Sequence, residues 1–137
     1  MRRGYEDGLT AGFVGAILSG LPSTLWSLAA RRDPLEATLA AGSILLPAER
    51  RRVPLVAAAL PVHLSLSFAW ALVLARLLPR GRETAAGAAA GLGIAALDLG
   101  LIGRHFPRIR ALPLLPQVAD HIAFGATVGY VLKRRRG

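Results

Sequence analysis

The chain has 137 residues, 53% of them hydrophobic, a formal net charge of +9 and no cysteine, and its mean hydropathy is +0.46. That composition is too apolar for a soluble domain of this size, and the lack of cysteine excludes disulfides and thiolate metal ligands. The basic residues sit in short groups at the ends of apolar runs, not along one helix face. Membrane topology and lipid phosphate therefore account for them, and nucleic acid is not expected as a partner.

Aromatic residues make up only 6%, so the apolar content is Ala, Leu, Val, Ile and Gly, which suits closely packed membrane helices. The first apolar run covers residues 9–30, about the length needed to cross a bilayer. Gly8, Gly12, Gly15, Ser19 and Ser23 recur at helical spacing and make one small-residue face. Pro22 predicts a kink near the end of this run. Residues 35–47 contain Glu36 and are too short to span. They are read as an interfacial or re-entrant segment.

The second span is predicted over residues 53–78. Pro61 should bend it, and His63, Ser67 and Trp70 share one face. The third span covers 84–103, with Gly87, Gly91, Ala95 and Asp98 on one face and a GxxxG pair for close packing. The fourth covers 113–132 and is followed by the basic cluster Lys133 to Arg136. Gln117, His121, Gly125 and Gly129 share a face there. Asp120 projects about 100° away from His121, so each needs its own partner on another helix.

The expected fold is therefore all-α: a polytopic membrane protein, a bundle of four spanning helices plus one short membrane-associated segment, forming a single domain over residues 1–137. Antiparallel threading brings Ser23, His63, Asp98, Asp120 and His121 to a common depth within roughly 5–8 Å, at about 1.5 Å of rise per residue. Glu36, in the short segment on the same side, could cap this level. Ionisable groups at such a depth are costly and need a reason. With Gln117 they are the candidate ligand or proton-relay residues.

The leading reading is a membrane protein whose Asp/His level locks the bundle or binds a proton, ion or small ligand. One alternative is an intramembrane metal-dependent enzyme using His63, Asp98, Asp120 and His121, an acceptable donor set for a divalent ion that lacks an H-x-x-x-H or E-x-x-H spacing. Another is a small transporter or channel component. No catalytic residue and no cofactor is assigned. Gly91-Leu92-Gly93 is not a dinucleotide fingerprint, and no G-x-S-x-G elbow accompanies the serines.

With four spans both termini share a side, and the cluster at residues 133–136 favours the cytoplasm for them. The expected partners are the lipid bilayer, anionic headgroups at the Arg clusters, and a second copy or membrane partner docking on the small-residue faces. Ala- and Arg-rich usage points to a GC-rich bacterial genome. The Gly-rich first span with Leu21-Pro22-Ser23, the stretch His63-Leu64-Ser65-Leu66-Ser67, and His121 followed by Phe124-Gly125 resemble the small inner-membrane proteins of the YagU-like kind and their actinobacterial relatives. The resemblance implies a multi-pass protein of the bacterial plasma (inner) membrane and carries over no catalytic role. It marks His63 and His121 as positions of interest.

Overall fold

The computed structural model describes residues 2–137, with side chains from residue 4 onward. The described residues are helical, without strand. Helix α1 (Arg2–Leu18) is followed after a two-residue interruption by α2 (Leu21–Ala29). Then come the short α3 (Glu36–Gly42), the long α4 (Arg52–Leu77), α5 (Glu83–Ala95), the single turn α6 (Pro107–Arg110) and α7 (Leu114–Arg136). Beyond Ala95 the chain of α5 continues as a π-helical stretch (Ala96–Ile102) and a 3-10 turn (Gly103–His105).

Three helical stretches are long and apolar enough to cross a membrane: Gly4–Ala29, Arg52–Leu77 and Glu83–His105. At 23 residues α7 has comparable length, but it is not one of these three. Gln117, Asp120 and His121 dilute its apolar content, the same residues that made it interesting.

The first run differs from expectation in where it breaks. A kink was expected at Pro22; the helix instead stops at Leu18 and restarts at Leu21. Pro22 falls in the opening positions of α2, where its missing N–H and fixed φ cost nothing. Pro61 does not interrupt its helix: α4 runs from Arg52 to Leu77 with Pro61 inside it. The basic cluster at residues 133–136 is helical, the last turn of α7.

Residues 35–47 form α3 and a turn. Seven helical residues reach only about 10 Å, far short of a bilayer core. The segment packs on the start of α4: an added side chain at Gly42 would strike the backbone of Leu55.

Helix α7 is the hub, touching α5, α1, α2 and α4, while α4 packs mainly on α1 and α3. The α5–α7 contact is the most extensive. It joins the two glycine faces: Gly87 sits against Gly125, Gly91 against the carbonyl of His121, and Gly129 against the carbonyl of Glu83. A Cβ at any of Gly87, Gly91, Gly125 or Gly129 would collide with backbone atoms. The small-residue face of the first run is shared between two neighbours. Gly8 and Gly12 meet Leu72, Ala71 and Phe68 of α4, and Gly15 meets Phe124 and Val128 of α7. Ala11, Ala71, Leu74, Phe124, Val128 and Leu132 close the core.

Candidate functional site

A helix that stops and restarts leaves carbonyls without donors on one side and N–H groups without acceptors on the other. Inside an apolar bundle each such group costs free energy unless something reaches it. Two side chains from distant helices do so here. The Nε2 of His63, on α4, lies 2.7 Å from the carbonyl oxygen of Ala16 in the last turn of α1. The carboxylate of Asp120, on α7, accepts the N–H of Ser23 in the first turn of α2 at 2.8 Å. Gly20, the residue before α2, offers no side-chain cap, so Asp120 supplies the acceptor that an N-cap residue would. A carboxylate is also the charge that a helix N-terminus favours.

The roles are set by chemistry. A carbonyl only accepts, so His63 carries a proton on Nε2 and donates it. Ser23 takes part through its backbone N–H; its hydroxyl donates weakly, at 3.4 Å, to the carbonyl of Gly20.

The neighbouring residue faces the other way. The Nδ1 of His121 lies 2.8 Å from the carbonyl oxygen of Gln117, one turn earlier on α7. Its Nε2 lies 3.5 Å from a carboxylate oxygen of Asp98. Side chains on a helix lean toward its N-terminus. On α7 that direction runs antiparallel along α5 toward its C-terminal end, where Asp98 sits in the π-helical stretch. Gln117 enters through its backbone carbonyl.

Both ring nitrogens of His121 thus face oxygen acceptors. A neutral imidazole has one N–H and one lone pair, so beside an ionised Asp98 its lone pair must face either the carboxylate or the Gln117 carbonyl, and either is repulsive. The arrangement is satisfied when the pair holds one extra proton, as an imidazolium against Asp98 or as a neutral ring accepting from an Asp98 carboxylic acid. Both groups are largely shielded, with side-chain exposures of 21% and 18%.

Compared with known proteins, the chain matches no family model, no curated protein and no solved structure.

Of the residues singled out from the sequence, Ser23, Asp120 and His63 meet at the helix break, and Asp98, His121 and Gln117 form a second group beside it. Glu36 stands apart: its carboxylate binds Arg32 in a two-pronged pair at 2.6 and 3.1 Å. Among the described residues no three His, Asp or Glu side chains converge as a metal site requires. Within the donor set His63, Asp98, Asp120 and His121, the contact between side chains is Asp98 with His121, while His63 and Asp120 go to backbone groups of the first run.

Two cavities, of about 520 Å³ and about 540 Å³, lie at opposite poles of the bundle. Arg32, Glu36 and Arg108 line the first, and Arg76, Arg80, Arg135 and Arg136 the second. The loops beside the first are pinned by charge. Arg52 grips Asp33 at 2.6 and 3.2 Å, and that contact with the N–H of Leu35 holds the Asp33 carboxyl below its ordinary range. The Arg51 guanidinium, with the N–H groups of Arg51 and Arg50, lowers Glu49 to about 2.

Sequence reasoning missed one buried charge. Glu83 is 2% exposed, its Oε2 has no hydrogen-bond partner, and Arg136 stands 4.0 Å from its Oε1. Arg136 also donates to the carbonyl of Ala75. A signal existed: Glu83 is four residues before Gly87 and eight before Gly91, on the tight face of α5.

Proposed function

We propose that this chain is a multi-pass protein of a bacterial plasma membrane, crossing four times, whose intramembrane Asp98–His121 pair holds a proton that governs how α7 sits between the broken first helix and α5. The observation that carries this reading is the placement of an acceptor at each ring nitrogen of His121. Membrane embedding draws support from the three long apolar stretches and from an exterior studded with exposed Phe13, Ile17, Leu25, Leu60, Leu92 and Leu115, more apolar surface than a soluble monomer shows. For a fourth crossing, α7 has 23 residues and packs between helices that themselves can span. The salt bridge from Asp7 to Arg135 at 2.6 Å puts the two ends of the chain at one pole, as an even number of crossings requires.

The mechanism is local electrostatics coupled through one helix. With the proton present, His121 and Asp98 attract and the end of α5 closes on α7. With it gone, the ring keeps a single N–H, its lone pair faces either the Gln117 carbonyl or the Asp98 carboxylate, and one of the two contacts loosens. Asp120 is the next residue on the same helix, so a shift of α7 is felt directly at the N–H of Ser23. The π-helical turn carrying Asp98 and the interrupted first helix are the backbone irregularities that membrane proteins keep at working sites.

The test is nitrogen NMR of histidine-labelled protein in lipid nanodiscs. At neutral pH His121 should show either two N–H groups or a ring accepting a strong hydrogen bond, and Asp98→Asn should abolish that signature. A His121 spectrum that is a plain neutral tautomer in wild type and unchanged in Asp98→Asn would leave only a packing role for the pair.

A second reading, a small proton-coupled transporter component, is favoured by the broken first helix. Neither polar cavity is lined by Asp98, Asp120 or His121. This reading therefore requires a second conformation in which one of the cavities reaches that level.

A further inference from the structure

We infer that the pole where both chain ends meet carries a binding site for a phosphate-bearing anion, in the cavity of about 540 Å³ lined by Arg76, Arg80, Arg135 and Arg136. The end of α4, the loop after it, the start of α1 and the last turn of α7 build its walls. Two of the four guanidiniums are already committed. Arg135 pairs with Asp7 at 2.6 Å, and Arg136 turns inward to the Ala75 carbonyl and the buried Glu83.

The other two are not neutralised. Among the described residues neither Arg76 nor Arg80 has a carboxylate partner. Arg76 spends one donor on the carbonyl of Leu72 in its own helix at 3.1 Å. Four guanidiniums against Asp7 and Glu83 leave a surplus of two positive charges around one concavity. That surplus matches a phosphate monoester, and the fork of Arg donors fits phosphate oxygens in a way that an ammonium does not. The committed pair shapes the cavity wall; the free pair binds. The cavity at the other pole differs, because Asp33 and Glu36 line it beside Arg32 and Arg108 and leave no surplus charge there.

The same phosphate chemistry is offered by an anionic lipid headgroup and by a soluble phosphate, and the experiment separates the two. The full chain is placed in nanodiscs of phosphatidylcholine alone, the same with phosphatidic acid, or the same with added inorganic phosphate, and its Tm is read. Phosphatidic acid or phosphate should raise Tm by roughly 3 °C or more as the site fills. Arg76→Gln/Arg80→Gln should lose that shift. Arg104→Gln/Arg110→Gln, with the same charge change at the opposite pole, should keep it. A shift with lipid alone assigns a headgroup, and a shift with phosphate alone assigns a soluble anion.

No shift with either anion, or an equal shift in both double variants, overturns the site. Arg80→Gln alone, in the exposed loop after α4, should weaken the shift and serves if the double variant does not fold. The site is independent of the proton on His121, so either idea can fail while the other stands.

Discussion

Asp120 and Ser23 stand 97 positions apart, and the carboxylate of one accepts the backbone N–H of the other at 2.8 Å. This bond closes one side of a helix break, and His63 closes the other by reaching Ala16. His121, the next residue along, turns instead to Asp98 on a different helix. Two adjacent residues of α7 thus tie it to two neighbours at one level.

Asp120→Ala should leave the N–H of Ser23 without its acceptor. The expected loss is about 1–2 kcal/mol, the range for a lost N-cap and an orphaned buried donor. Asp120→Asn keeps an acceptor oxygen and should lose less. Thermal unfolding together with hydrogen exchange at the Ser23 amide measures both, and faster exchange confined to the start of α2 would locate the effect.

Two glycines of α5, two residues apart, should respond oppositely to alanine. At Gly91 the new Cβ meets backbone atoms of His121 and Ile122, so Gly91→Ala must push α5 and α7 apart at a cost of about 1–3 kcal/mol. At Gly93 it meets nothing within 4 Å. There the helix preference for alanine should stabilise by up to about 1 kcal/mol. Similar unfolding curves for the two variants would mean that the glycine seam is not close-packed.

Removing Arg136 strands two groups at once, the Glu83 carboxylate and the Ala75 carbonyl. Arg136→Ala should cost about 3 kcal/mol, as breaking a buried pair from one side does. Glu83→Gln removes the charge and should cost much less. The double variant should be more stable than the sum of the two losses implies, and additive losses would show that the two side chains do not interact.

Glu49 gives a pH signature at the opposite pole. Its carboxyl is lowered from 4.5 to about 2, first by the Arg51 guanidinium and then by the N–H groups of Arg51 and Arg50. A carboxyl with a depressed value contributes stability fully above its unfolded range and loses it as pH falls. The contribution should therefore fade between pH 4.5 and about 2. It should be small, because the Arg51 partner is largely exposed to solvent. Glu49→Gln should flatten the stability curve in that window and leave it unchanged near neutrality. A variant curve parallel to wild type throughout would remove the assignment.

Much of this was legible because helical periodicity is a property of spacing. The glycine faces of residues 87–91 and 121–129 and the divergence of Asp120 from His121 follow from 3.6 residues per turn. Glu36 was misjudged because depth alone cannot tell a group aimed into the bundle from one that finds Arg32 four residues away. Arg136 belongs by spacing to a basic cluster that favours the cytoplasm, and nothing in that cluster marks it as the one that turns inward. Its partner Glu83 arrives from another helix.

The residue pattern by itself determined that the chain is helical, apolar enough to cross a membrane, and in need of partners for a few polar groups. Periodicity and hydropathy are local, and the cost of an unpaired polar group applies wherever it lies. Tertiary structure alone decided which partners those are. Asp120 goes to the Ser23 N–H, His63 to the Ala16 carbonyl and His121 to Asp98, because glycine seams without side chains let α7 approach α5 closely, and because the first helix breaks before Pro22 and leaves backbone groups that only side chains on α4 and α7 reach.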